Sequence, residues 1–209
     1  MEQQTAFAAS YLELFDAEMI DTDRPEAHLN LGLLETRLRH PSEAEKQYQT
    51  ALRLDQNFTP ALVNLADLDR MRGLDQEGVE LLRKAMSIDP NNADIRHSLG
   101  LALVRQHNYA DALPELRQAS EFAPDKRYAY VYAIALNSIG SQGEAMELLE
   151  TTHKRHPADR DTLLAIVSIA QETGDFATAL THARELVTLY PTDMELRMLV
   201  LDLEKRQAR

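Results

Sequence analysis

The sequence predicts an all-α protein made of antiparallel helix pairs that follow one another at intervals of 33 or 34 residues. Small residues recur in the same phase along the chain, and a residue that ends helices closes most of the intervals. With only 7 Gly and 8 Pro, the chain also has little material for the turns of an all-β fold. A repeat array of this kind builds its core along one axis, because each unit packs on the next.

Four series of residues keep a single phase across five units. The first series consists of Gly32, Ala66, Gly100, Ala133 and Val167. The second series consists of Ala44, Gly78, Ala112, Ala145 and Ala179. The third series consists of Ala51, Ala85, Ala119, Thr152 and Leu186. The units close on Gln56, Pro90, Pro124, Pro157 and Pro191. Small residues let a facing helix approach closely and Pro cannot continue a helix, so the pattern indicates pairs of short packed helices.

The turn between the two helices of each pair is also visible in the sequence. The predicted turns are Arg39–His40, Gly73–Leu74, His107–Asn108, Gly140–Ser141 and Gly174–Asp175. Gly at this point can adopt the left-handed conformation that ends a helix. Asn108 and Asp175 are suitable N-caps for the helix that follows.

These units resemble a known repeat family. The segments HLNLGLLETRLRHPSEAEKQYQTALRLDQN and VNLADLDRMRGLDQEGVELLRKAMSIDPNN are similar to tetratricopeptide repeats (TPRs). The resemblance implies a right-handed superhelical solenoid of antiparallel helix hairpins. The predicted repeats are 25–58, 59–92, 93–125, 126–159 and 160–193.

Two partial units flank the five repeats. Residues 1–24 have the phase of a second helix without its first helix, and 194–209 form a charged helix that we expect to cap the array. An array that starts within a repeat exposes an apolar face. We therefore expect either a fragment of a longer protein or a homodimer that pairs through the N-terminal half repeat.

Composition limits the classes of partner. The formal net charge is -12 and the isoelectric point is about 5.0, so nucleic acid and anionic membrane are not expected partners. The chain contains no Cys, and its most apolar stretches, 128–136 and 163–170, are too short to span a bilayer. No signal peptide is recognised. We expect a soluble chain, and the sequence leaves cytoplasm and periplasm equally open.

No residue pattern indicates catalysis. His153 and His156 share a helix face, but no further ligand stands near them in the motif. The other histidines considered, His28, His40, His107 and His182, fall in different repeats and phases. No HExxH, phosphate-binding Gly loop or GxSxG motif occurs. We expect no metal, no cofactor and no enzyme activity.

The TPR resemblance implies that the first helices line a concave groove that binds a protein or peptide. In the first three repeats the corresponding residues are Leu29, Leu33, Arg37, Val63, Asp67, Arg70, His97, Leu101 and Arg105. In the remaining repeats and the capping helix they are Tyr130, Ile134, Asn137, Leu164, Ser168, Gln171 and Met198.

The groove combines an apolar floor with a basic edge formed by Arg37, Arg70 and Arg105. This edge predicts either binding of carboxylates or ion pairs with neighbouring helices. The helices YAYVYAIAL and TLLAIVSIA are apolar almost all round, which predicts either burial in the stack or a face that awaits a partner.

Two ligand sites of the family are compared with this groove. The carboxylate clamp for acidic C-terminal peptides requires Lys and Asn where this chain has Leu29 and Leu33, so the resemblance does not extend to it. Asn30 and Asn64 match only two rungs of the Asn ladder by which some relatives hold a peptide backbone.

Two function classes remain. The first is a non-catalytic module that binds a helical or extended segment in its groove. The second is a scaffold that self-associates or packs against other domains. The sequence of residues 24–160 also resembles the repeat region beside multihaem cytochrome c domains of some bacterial proteins. This resemblance implies an accessory part of an electron-transfer protein.

Overall fold

The computed structural model describes residues 23–123 and 125–208. Nearly all of the predicted half repeat 1–24, together with Pro124, lies outside these residues. Within them the chain forms α-helices and no β-strand, which confirms the all-α prediction. None of the described helices has the length and apolar character needed to cross a membrane.

The described residues form eleven helices in two compact units, which meet in sequence between Asn108 and Tyr109. The first unit contains α1 (Pro25–Arg37), α2 (Pro41–Leu54), α3 (Thr59–Met71), α4 (Asp75–Ile88) and α5 (Ala93–Arg105). The second unit contains α6 (Tyr109–Phe122), α7 (Lys126–Ser138), α8 (Gln142–Arg155), α9 (Arg160–Glu172), α10 (Phe176–Leu189) and α11 (Met194–Gln207).

The first unit is a stack of hairpins in which each helix packs on the next. α1 pairs with α2 and α3 pairs with α4, while α3 also contacts α1 and α5. Tyr48 fills the space between α1 and α3 together with Leu65 and Leu68. Ile95 of α5 completes a second cluster with Leu62 of the preceding hairpin. The core is therefore continuous from hairpin to hairpin.

Close approach of the helices depends on the small residues. A Cβ atom placed on Gly32 would lie 2.6 Å from Cδ1 of Tyr48, and one on Gly78 would lie 3.1 Å from the carbonyl oxygen of Ala66. The Ala residues of the second and third series are completely buried. The predicted role of the small series is confirmed at these positions.

The five turns between paired helices share one backbone conformation. Gly73, Gly140 and Gly174 have φ of 78°, 84° and 79°, as their position at a helix end predicts. At the equivalent places Arg39 and His107 have φ of 63° and 57°. These two residues adopt the left-handed conformation although they carry a Cβ, which costs energy that Gly avoids.

In the second unit α7 pairs with α8, α9 pairs with α10, and α11 packs on α10. Thr152, Val167 and Leu186, which replace smaller residues of the first three series, are all buried. Pro114 lies inside α6, and the helix continues through it from Tyr109 to Phe122.

A row of ion pairs links successive first helices of the second unit. Lys126, the first residue of α7, donates a hydrogen bond to Asp159, the N-cap of α9. Arg160, the first residue of α9, donates to Oδ2 of Asp193, the N-cap of α11, at 2.7 Å. We call these two contacts the N-cap ladder. Each acid caps its own helix and also receives a cation from the preceding repeat.

Candidate protein-interaction surface

The residues predicted to line the groove lie on the first helix of each hairpin: α1, α3 and α5 in the first unit, and α7, α9 and α11 in the second. None of them is fully buried, and each is either half-buried or exposed. Neighbouring residues on the same helices, such as Leu31, Ala66 and Ile166, form the core. Each first helix therefore divides into a buried face and an accessible face.

In the first unit the accessible face carries apolar side chains that rest on the core. Leu29 packs against the cluster around Tyr48, and Val63 packs against the cluster around Leu62. Leu33 lies further out, with 36% of its surface exposed. This face offers apolar contact area supported by the packed core.

Two of the three arginines of the predicted basic edge form ion pairs. Nε of Arg70 lies 3.3 Å from Oδ1 of Asp67 on the same helix. Nε of Arg105 lies 3.0 Å from Oδ1 of Asp75 at the start of α4. Within the described part of the chain Arg37 forms no ion pair. The alternative of ion pairs with neighbouring helices therefore describes Arg105. Arg70 pairs within its own helix, and the charge of Arg37 is uncompensated within the described residues.

In the second unit the two apolar first helices, α7 and α9, differ in how much of their apolar surface is buried. α9 buries seven of its residues, which accounts for most of its apolar character. In α7, Tyr130 and Ile134 are only half-buried and pack at the margin of the cluster formed by Ala133, Leu149 and Ile166. Among the first helices of this unit, the accessible apolar side chains therefore lie mainly on α7 and on α11, where Met198 is 62% exposed.

A carboxylate that was not predicted joins two groove positions of the second unit. Oε2 of Glu172 accepts a hydrogen bond from Nδ2 of Asn137 at 3.0 Å, and its Oε1 accepts from Oγ of Ser168 at 3.3 Å. Glu172 occupies the same repeat position as Arg37 and Arg105. That shared position is the signal by which the sequence could have revealed it.

The two candidate asparagines of a backbone-holding ladder are placed differently. Nδ2 of Asn64 donates to the carbonyl oxygen of Pro60 at 2.8 Å, so its donor is engaged within α3. Asn30 is exposed on α1. A role for the pair in holding a peptide backbone stays a prediction.

Family comparison agrees with this architecture. Models described as tetratricopeptide repeat match residues 29–93 and 76–134, which together span about half of the chain. The fold and its first-helix face define a helical-repeat scaffold for protein–protein interaction. The chain belongs to the tetratricopeptide repeat family.

Relatives and solved structures share this fold. The TPR repeat-containing protein YpiA of Bacillus subtilis is 25% identical over 177 residues, which cover 80% of this chain and 41% of that protein. The crystal structure of YrrB, a TPR protein with an unusual peptide-binding site, superposes with a TM-score of 0.68 at 20% identity. This match covers 92% of the present chain and 97% of YrrB.

PilF of Pseudomonas aeruginosa superposes with a TM-score of 0.75 at 20% identity, over 96% of this chain and 91% of PilF. MamA of Desulfovibrio magneticus RS-1 gives 0.72 at 20% identity, over 81% and 97% of the two chains. At such identities these likenesses show the fold alone.

Proposed function

We propose that this protein is a non-catalytic interaction module whose first-helix face binds a helical or extended segment of a partner protein. The observation that carries the proposal is the exposure of the predicted groove positions beside fully buried neighbours on the same helices. A surface that keeps apolar side chains accessible next to a packed core offers contact area at little cost to folding.

The chemistry of the first unit indicates which segment fits best. Leu33 supplies an exposed apolar contact, and Arg37 lies one helical turn further along α1. An apolar residue followed by a carboxylate matches this pair, because a guanidinium binds a carboxylate through two parallel hydrogen bonds. YrrB is described as having a peptide-binding site, which makes a peptide ligand a natural first choice for this chain as well.

A substitution at Leu33 tests the proposal. Peptides selected on the wild-type chain from a random display library serve as the probe, and affinities are measured by fluorescence polarisation. Leu33→Glu places a charge in the apolar contact, and we expect at least about tenfold weaker binding, equivalent to about 1.4 kcal/mol. Leu54→Glu is the matched control, because Leu54 is 44% exposed on α2, the second helix of the same repeat.

Further substitutions extend the test to other repeats. Leu101→Ala and Tyr130→Ala remove half-buried groove side chains from α5 and α7, and we expect weaker binding by a chain that keeps its helical content. If Leu33→Glu, Leu101→Ala and Tyr130→Ala all bind the selected peptides as tightly as the Leu54→Glu control does, the groove is not the binding surface.

A structural feature of α11 favours self-association as a second candidate function. Met194, Met198 and Leu201 are 63%, 62% and 49% exposed. Their spacing of four and three residues places them on one helix face. Light scattering over a concentration series checks this candidate: association that is abolished by Met198→Glu supports it, and a strict monomer at high concentration excludes it.

A further inference from the structure

Two histidines and a glutamate from neighbouring hairpins meet on the second unit. His153 lies near the end of α8, and His182 and Glu185 lie one turn apart on α10. Nε2 of His153 is 3.3 Å from Oε2 of Glu185, and Nδ1 of His182 is 3.4 Å from the same oxygen. The ligand atoms that the three residues offer all lie within 4.8 Å of one another.

The cluster is largely shielded from solvent, and its nitrogen atoms are incompletely bonded. The side chains of His153 and His182 are 13% and 11% exposed. Nδ1 of each ring is buried and forms no hydrogen bond within the described residues. Buried polar atoms of proteins are nearly always paired, so Nδ1 of His182, which lies beside Glu185, marks a place where a further binding partner is required.

A second carboxylate fixes the orientation of His182. Oε1 of Glu150 on α8 lies 3.0 Å from Nε2 of His182. A carboxylate accepts hydrogen bonds, so this contact places the ring proton on Nε2. In the neutral ring the lone pair is then on Nδ1, which faces Glu185. Without a cation between them, this lone pair and the carboxylate oxygen repel each other.

We propose that His153, His182 and Glu185 bind a divalent transition-metal ion of the zinc class, with Glu150 as a positioning residue. Imidazole nitrogen together with carboxylate oxygen is a donor set that Zn²⁺ accepts. Bond lengths of about 2.0–2.2 Å in tetrahedral geometry separate neighbouring ligand atoms by about 3.3 Å. Both histidine-to-glutamate distances, 3.3 and 3.4 Å, meet this requirement.

The remaining contacts of the cluster match a metal site as well. Metal-bound histidines usually donate their other ring N–H to a carboxylate, as His182 does to Glu150. Three protein ligands leave a fourth coordination position for water. The ion joins the second helices of two successive repeats, α8 and α10, through their side chains. Binding therefore stabilises the second unit in addition to occupying the site.

Calorimetric titration of the untagged 209-residue chain with Zn²⁺ tests the site. We expect one Zn²⁺ per chain and no competition from a large excess of Mg²⁺, which prefers oxygen ligands. Glu185→Gln and His153→Gln each remove a ligand, and we expect loss of at least two orders of magnitude in affinity. Glu150→Gln acts through His182, and we expect about 10- to 100-fold weaker binding.

His156→Gln is the matched control, because His156 directly follows α8 and lies outside the cluster. Circular dichroism verifies that each variant is folded, and Zn²⁺ should raise the melting temperature of the wild type and of His156→Gln by more than that of Glu185→Gln or His153→Gln. Either of two results overturns the proposal: a wild type that binds no Zn²⁺ at millimolar concentration, or Glu185→Gln and His153→Gln variants that bind it as tightly as the wild type.

Discussion

The aromatic ring of Tyr48 occupies the space that a side chain on Gly32 would fill. Cδ1 of Tyr48 lies 2.6 Å from the position of a Cβ on Gly32, and the tyrosine is almost completely buried. The hydroxyl group of Tyr48 is 3.0 Å from Oγ1 of Thr36, one turn further along α1. The pairing of α1 with α2 thus depends on the absence of a methyl group at residue 32.

We expect Gly32→Ala to destabilise the first unit by about 1–3 kcal/mol, because overpacking forces either the ring or the helix to move. Urea unfolding followed by circular dichroism measures the change. Gly143→Ala is the control: Gly143 lies in α8 with open space around the position of a Cβ. That variant should be neutral or stabilised by up to about 1 kcal/mol through helix propensity. Equal effects of the two substitutions would contradict the steric account.

The left-handed turn at Arg39 leads to a stabilising substitution. With φ of 63°, Arg39 pays a conformational cost that Gly does not, so Arg39→Gly should raise the unfolding free energy by about 1 kcal/mol. Arg39→Ala keeps the Cβ and should give no such gain. At the equivalent Gly73, with φ of 78°, Gly73→Ala should lower stability by about 1 kcal/mol. Thermal unfolding of the three variants checks the set.

The N-cap ladder makes stability depend on pH at acidic values. Burial alone would raise the pKa of Asp159, but hydrogen bonds from Lys126 and Thr162 and the charge of Lys126 bring this pKa below its ordinary value. A carboxyl whose pKa is lower in the folded state stabilises above its unfolded pKa, and this contribution is lost as the pH falls through the folded pKa.

A double-mutant cycle of Asp159→Asn and Lys126→Gln isolates the contact, since Asn still caps the helix. We expect a favourable coupling at pH 7, kept small by the exposure of Lys126, and a weaker coupling at pH 2, since the charge on Asp159 is lost as the pH falls through its folded pKa. A coupling that is unchanged between the two pH values would show that the charge on Asp159 does not contribute.

Asp69 should show the opposite dependence. Burial of this carboxyl and the nearby charge of Glu45 raise its pKa, while Arg72 opposes the shift. Stability is then lost as the pH rises through the folded pKa, because the buried group must ionise. Asp69→Asn should therefore be more stable than the wild type at pH 7, and the gain should vanish near pH 3. Chemical unfolding at the two pH values gives the comparison.

The sequence predicts the fold well because the constraints that produce it recur with the period. The side chain of Tyr48 packs directly against Gly32, and the backbone of Ala66 packs directly against Gly78. Each of these close contacts requires a small residue, which recurs in a fixed phase of the repeat. The left-handed turns are visible where Gly occupies them. Arg39 and His107 show that the turn persists without Gly, since the hairpin geometry determines the conformation.

Side-chain contacts between repeats are predicted less well. His153 and His182 are 29 residues apart and occupy different repeat positions, so no periodic pattern connects them. Sequence spacing suggested His156 as the neighbour of His153, whereas the structure places His182 and Glu185 beside it. The partner of Arg105 is likewise 30 residues away, at Asp75. Such contacts depend on how hairpins pack, which one sequence does not specify.

The N-cap ladder has a consequence for how an array of this kind can grow. The acceptor Asp159 and the donor Arg160 are adjacent in sequence, so one dipeptide both receives a contact from the repeat before and gives one to the repeat after. A tandem duplication of the 33- or 34-residue segment carries this dipeptide with it. The junction between the duplicated repeats then already has an acid facing a cation. The array can therefore lengthen without a further substitution to form this ion pair.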